Sequence, residues 1–215
     1  LSPFTSFGGV VLGMMGPQQA GNAALARRAL ELCREQLPGS PSARDLASAT
    51  ERGFALASMP GRATLMARGR QWVLCDGAHT PDSIESVLDL FFSLLDCDRG
   101  QQAPTSLLFA VVEGKQEEAM AGLLGPLFDH VVVTRPGTWK ASDPERSFRI
   151  LGARCRGTID LETDEVAALA AVLAHGGPVL VCGSFHLLGQ ILPVLGAEGF
   201  REIKAAAAEE FFRCP

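Results

Sequence analysis

No uninterrupted apolar run of about 18 residues occurs in this 215-residue chain, which argues against a membrane-spanning helix within it. The opening residues, LSPFTSFGG, lack the charged and apolar regions of a secretory signal. There is no CxxC and no Cys/His spacing that would hold zinc. The six cysteines, at 33, 75, 97, 155, 182 and 214, are scattered, and Cys75 and Cys182 fall inside apolar strands. They read as reduced, structural thiols of a cytoplasmic protein. Lys and Arg are dispersed and the net charge is −5, so no basic patch marks a nucleic-acid or anionic-membrane partner. No GxGxxG follows a strand; GMMGPQQAG at 13–21 has the wrong glycine spacing, which counts against a nicotinamide-dependent oxidoreductase. No GxxxxGK[ST] occurs, so the chain has no P-loop of its own. The first residue is Leu rather than Met, and the expectation is a chain cut from something longer.

What is present is an α/β pattern. Hydrophobic residues make up 47% of the chain, enough for a sizeable core. Residues 4–15 read as extended and Gly-rich. A helix is expected to open near Gly21, with Ala23, Ala26, Leu30, Cys33 and Leu37 on its apolar face, and a second helix is expected over 42–57. The Pro-Gly pair of MPGR at 59–62 marks a boundary. Beyond it strands and helices alternate as in a mostly parallel sheet covered on both faces. The strands are expected at 63–67, 71–75, 106–112, 130–134, 157–161 and 178–182, with helices near 81–95, 116–128, 163–175 and 185–195. Thr80 as N-cap and Pro81 at the first position mark the start of one helix, and Pro193 should kink or shorten another. The alanine run at 205–208 belongs to a tail with no assigned element.

Two segments, WVLCDGAHTPDS at 72–83 and PVLVCGSFHLLG at 178–189, are buried strands that break into small polar residues and then a helix. Ligands of open α/β sheets sit outside the carboxyl ends of such strands. Asp76 is either a turn former or a carboxylate projecting at that edge. His79 is either a structural residue or a catalyst, and Thr80 caps the helix beneath it. Arg62 is either a surface residue or a donor fork for phosphate, and Lys115 either a solvated cation or a partner for a carboxylate. Ser184 and His186 do not form a nucleophile and base, because no GxSxG elbow is present and Phe185 follows the serine. Ser184 reads as a hydrogen-bond donor.

QQAGNAALA at 18–26, MPGR at 59–62, DGAHTPDS at 76–83 and VLVCGSFH at 179–186, in this order, resemble the folylpolyglutamate synthase/dihydrofolate synthase family of the Mur ligase superfamily. The resemblance implies a three-layer Rossmann-like domain over 59–204, preceded at 1–58 by the end of an ATPase domain whose P-loop lies elsewhere, with 205–215 a tail. It implies ATP and Mg²⁺ as cofactors, the chain's own N-terminal ATPase domain as partner, and folate or dihydropteroate and L-glutamate as substrates. By the resemblance, Asn22 and Gln19 would contact adenine, Arg62 the γ-phosphate, Asp76 the ribose, and His79 the nucleotide or the reacting centre. Thr80, Lys115 and Ser184 would lie near the incoming amino acid. Thr80 replaces the family's usual Asn, a variant resembling muramyl-tripeptide ligases, EGKQ at 113–116 keeps only Lys115 of the usual DKD, and Lys140 of WKAS stands where the family tends to have Arg. The alternatives are a muramyl-peptide amino-acid ligase and a non-enzymatic small-molecule-binding module.

Overall fold

The computed structural model describes residues 3–98 and 103–213. Its N-terminal part pairs two short antiparallel strands, β1 (Ser6–Phe7) and β2 (Val10–Val11), with two helices, α1 (Gln18–Leu32) and α2 (Ala43–Leu56). Gly8 and Gly9 form the two-residue hairpin turn with φ of 60° and 84°, a left-handed pair that L side chains resist. α1 starts at Gln18 rather than near Gly21, since Pro17 already holds helical angles (φ −61°, ψ −30°). Its expected apolar face is only partly used. Ala23 is buried and Leu30 half-buried, but Ala26 and Cys33 are exposed, as are Leu25 (73%) and Leu32 (66%). α1 packs chiefly on α2 and the hairpin, too little partner surface to cover it. α2 starts where the sequence predicts, with Ser42 accepting from the Asp45 amide.

After MPGR the chain builds a seven-stranded sheet. The strands are β3 (Thr64–Arg68), β4 (Gln71–Cys75), β5 (Ser106–Phe109), β6 (His130–Val133), β7 (Thr158–Leu161), β8 (Val179–Cys182) and β9 (Arg201–Ile203), in the spatial order β7-β6-β5-β8-β4-β3-β9. Strands β7, β6, β5, β8 and β4 run parallel; β3 is antiparallel to both β4 and β9. The helices are α3 (Pro81–Cys97), α4 (Glu117–Leu124), α5 (Pro144–Gly152), α6 (Glu165–Leu173), α7 (Phe185–Ala197) and α8 (Ala205–Arg213).

Period-two alternation in the central strands creates two separate cores. Leu74, Leu107, Phe109, Val131, Val133 and Leu180 join one core with α3, α4, α5 and α8; Val73, Leu108, Val132, Val179 and Val181 join the other with α6 and α7. The sheet is therefore the middle of three layers, as the strand pattern predicts. Several elements differ from the sequence reading. β5 ends at Phe109 and α4 at Leu124, both shorter than predicted. α7 continues through Pro193 to Ala197, so the proline neither ends nor shortens it. α5, β9 and α8 arise where the sequence reading places no element. α5 has ordinary start signals, Asp143 accepting from the Arg146 amide and Pro144 at the first position. The alanine run is not a tail but part of α8, whose Ala205, Ala208 and Phe212 are buried in the first core. Phe212 meets the ring of Trp72 edge-on at 5.6 Å. Among the described residues no helix is long and apolar enough to cross a membrane.

Candidate functional site

β4 and β8 are parallel neighbours, with Cys75 opposite Val181, so the two loops singled out by sequence leave the sheet side by side. They are tied together by hydrogen bonds from the Asp76 amide to the Val181 carbonyl (3.0 Å) and from the Gly183 amide to the Ala78 carbonyl (2.8 Å). The chain leaving β4 enters α3 on one face, whereas the chain leaving β8 enters α7 on the other. A crevice at the carboxyl edge follows from that divergence.

The MPGR loop closes this crevice. The Gly77 amide donates to the Gly61 carbonyl (2.8 Å), and the Arg62 amide to the Met59 carbonyl (3.0 Å). Asp76 holds the loop from behind: its Oδ2 accepts from the Ala63 amide and its Oδ1 from the Ala78 amide, both at 2.8 Å. Ala63 adopts a left-handed φ of 48°, a costly conformation for a residue with a Cβ, and this bond helps maintain it. Burial raises the Asp76 pKa above the ordinary carboxylate value. The two amides, then Arg62 and His79, act in the opposite direction. Beside it, burial and the Asp76 charge push the Cys75 and Cys182 thiols up, so neither is a nucleophile.

A cavity of about 430 Å³ lies between α1, the MPGR loop and the start of α3. Gln19, Asn22, Arg62 and Asp76, four residues named from sequence, line it together. Asn22 Nδ2 donates to Gln19 Oε1 at 3.0 Å, which orients both amides. Among the described residues Arg62 has no carboxylate at ion-pairing distance; its guanidinium carbon lies 4.6 Å from the centre of the Phe185 ring. Sequence reading missed Met14, Gln18, Met59, Ser83, Ser86 and Val87, which complete the wall. Ser83, Ser86 and Val87 share one face of α3 by their three- and four-residue spacing, a signal that was present in the sequence. Phe185 was read only as an obstacle to an elbow; in the fold it supports the site.

The remaining sequence-named residues do not line the cavity. His79 Nδ1 is 2.7 Å from the Gly77 carbonyl, and its ring meets Phe185 edge-on at 6.4 Å. Thr80 is the N-cap of α3 and exchanges hydrogen bonds with Ser83 in a capping box. Ser184 is the buried N-cap of α7, its Oγ accepting from the His186 amide at 3.1 Å, which leaves its hydroxyl proton available. Lys115 is half-buried in the loop after β5, on the far side of β8 from Asp76. Just beyond it, buried Glu117 accepts from Arg146 (2.9 Å) and Ser147 (2.8 Å), tying the start of α4 to α5.

This architecture is shared with solved structures. The folylpolyglutamate synthase of Thermotoga maritima is 23% identical over 88% of this chain, with a TM-score of 0.66. The Mycobacterium tuberculosis folylpolyglutamate synthase complexed with ADP and AMPPCP is 23% identical over 87%, with a TM-score of 0.70. The chain has the fold of folylpolyglutamate synthases. Escherichia coli FolC in complex with DHPP and ADP is likewise 22% identical over 89%, with a TM-score of 0.66. The chain spans 41% of the Thermotoga structure and 42% of the other two. No protein-family profile matches the chain, and no curated protein does.

Proposed function

We propose that the chain is the C-terminal domain of an ATP-dependent ligase that adds L-glutamate to a folate or dihydropteroate carboxylate in the cytoplasm. Residues 1–58 complete an ATP-binding domain whose P-loop lies outside the chain; the residues from 59 onward form the domain that closes over the nucleotide. The observation that carries this reading is the shared cavity: two amides, a guanidinium and a carboxylate line one space at the carboxyl edge of the sheet. Solved structures of the same fold contain ADP, AMPPCP and, in one case, DHPP.

In this reading Gln19 and Asn22 meet the adenine and Arg62 meets the γ-phosphate. Asp76 can still accept from ribose hydroxyls, because each carboxylate oxygen has a second lone pair beyond the one used by a backbone amide. His79 stands by the nucleotide or the reacting centre. The γ-phosphoryl group passes from ATP to a carboxylate oxygen of the acceptor, releasing ADP. The glutamate amine then attacks the acyl carbon, phosphate leaves, and the amine gives up a proton. Positioning and charge neutralisation dominate the first step, and Arg62 contributes both. Thr80, Lys115 and Ser184 hold the incoming amino acid, Lys115 by charge and Ser184 through its hydroxyl. Closure of this domain excludes the water that would hydrolyse the acyl phosphate. Mg²⁺ in this reading is held mainly by the N-terminal ATPase domain, with one or two carboxylates and the nucleotide phosphates as its usual ligands.

The test is to read the coding sequence upstream of Leu1, express the longer protein, and follow ADP release with folates, dihydropteroate and muramyl peptides as acceptors. A GxxxxGK[ST] upstream and glutamate-dependent turnover on folates are expected, with no turnover by the 215-residue chain alone. Arg62→Ala in the longer protein should lower kcat by about 10²-fold. Turnover by the isolated chain would contradict its expected inactivity, and turnover on muramyl peptides would reassign the acceptor. The absence of a P-loop upstream would favour a non-enzymatic binding module.

A further inference from the structure

Phe185 occupies the first position of α7, directly after the Ser184 cap, and its ring fits between the two loops that form the site. A Cβ built on Gly77 would lie 2.5 Å from Cε2 and 2.6 Å from Cδ2 of this ring. One on Gly61 would lie 3.3 Å from Cδ1 and 3.4 Å from Cε1 on its other edge. The two glycines of MPGR and DGAH therefore let one aromatic ring enter between them. Above the ring stands the Arg62 guanidinium, 4.6 Å from its centre. Among the described residues it has no carboxylate partner. The Arg62 main chain is meanwhile held at three points: its own amide on the Met59 carbonyl, the Gly61 carbonyl on the Gly77 amide, and the Ala63 amide on Asp76.

From this arrangement we infer that Phe185 is the positioning residue of Arg62, holding the guanidinium toward the cavity for the terminal phosphate of a nucleoside triphosphate. The physical advantage of an aromatic support is specific. A carboxylate partner would fix the guanidinium but use its N–H fork and cancel its charge. A ring face attracts the cation through its quadrupole and leaves the in-plane N–H donors and the full charge for an anionic ligand. Ring and loop together restrict a long side chain before the ligand arrives, so less ordering is required on binding. The inference rests on Arg62 as the phosphate contact, the reading given above, and one arm of its test is independent of that reading.

The independent arm uses the 215-residue chain itself. By NMR, the Arg62 side-chain protons should resonate upfield of those of the other arginines because of the Phe185 ring current. They should return to the common range in Phe185→Leu and stay shifted in Phe185→Tyr; Phe185→Met is the substitute should the leucine variant misfold. Arg62 signals without an upfield shift in the unsubstituted chain would overturn the inference. The kinetic arm uses the longer protein. Phe185→Leu should lower kcat about fivefold, a factor matching a partly exposed cation–π contact, with KM for the folate acceptor unchanged and rescue by Phe185→Tyr. In an Arg62→Ala background the same substitution should have no further effect. An equal loss in both backgrounds would assign Phe185 a purely structural role and overturn the proposal. If the unsubstituted longer protein has no ligase activity, the ligase reading fails while the ring-current measurement still decides whether Phe185 holds Arg62.

Discussion

Replacing Gly77 by alanine should damage the site by displacing Phe185, although Gly77 needs no left-handed backbone. The new methyl carbon would stand 2.5 and 2.6 Å from two ring carbons, against an ordinary carbon–carbon separation of about 3.5–4.0 Å. A retreat of about 1 Å is therefore required. The opposite edge of the ring faces Gly61 and the body of α7 fixes its Cα, so the ring cannot simply slide. It must rotate toward solvent, where it is already 38% exposed, or the loops must part. Overpacking of this kind costs about 1–3 kcal/mol. For a domain of this size about 2 kcal/mol corresponds to a fall in Tm of about 4–8 °C. Urea denaturation of Gly77→Ala, Phe185→Ala and the double variant is the assay. The double variant should be less destabilised than the sum of the singles by at least about 1 kcal/mol, because removing the ring removes the clash. Additive costs, or a Gly77→Ala protein as stable as the parent, would refute the account of ring and glycines as one unit.

Other consequences are separately measurable. Asp98→Ala should cost about 2–3 kcal/mol in urea denaturation, since buried Asp98 accepts from Trp72 Nε1 (2.8 Å) and pairs with Arg70, and its loss orphans the indole N–H; Asp98→Asn should cost less. For Asp76, whose pKa is raised in the fold, the native state keeps a proton that the unfolded chain has already lost. Stability should therefore fall as pH rises from about 4, the unfolded value, through the raised native one, and Asp76→Asn should remove that slope. His175 stacks on His130 with ring centres 3.5 Å apart, and burial, then the neighbouring imidazole, lowers its pKa, with Asp160 opposing. Here the unfolded chain takes the proton first, so stability should be lost as pH falls from about 6.5 through the lowered native value. His175→Ala should flatten that dependence, followed by Tm against pH. A thiol reagent should modify exposed Cys33 rapidly and leave Cys75 and Cys182 untouched until the protein unfolds.

Local signals in the sequence were sufficient for much of the fold. The Thr80 cap with Pro81 and the apolar strands at 71–75 and 178–182 depend on neighbours in the chain, and they stand where the residues place them. α8 was not legible because an alanine run followed by EEFF carries a helical preference but no statement of what it covers; its buried Ala208 and Phe212 gain meaning only against Trp72 and α3. α1 was over-read for the opposite reason. Its periodicity is real, yet periodicity cannot report how much partner surface is present.

The residues named for the site divide along the same line. Arg62, Asp76 and Ser184 were singled out by a Pro-Gly turn and two strand ends, which are written in consecutive residues, whereas Gln19 and Asn22 were named only through the resemblance of QQAGNAALA to the folylpolyglutamate synthase/dihydrofolate synthase family. Only the tertiary structure decided that β8 inserts beside β4, that Asp76 gives an oxygen to the amide of Ala63, and that Phe185 rather than a carboxylate faces Arg62. Those are contacts between segments far apart in the chain, set by strand order and by the space two glycines leave open, and no local propensity encodes either.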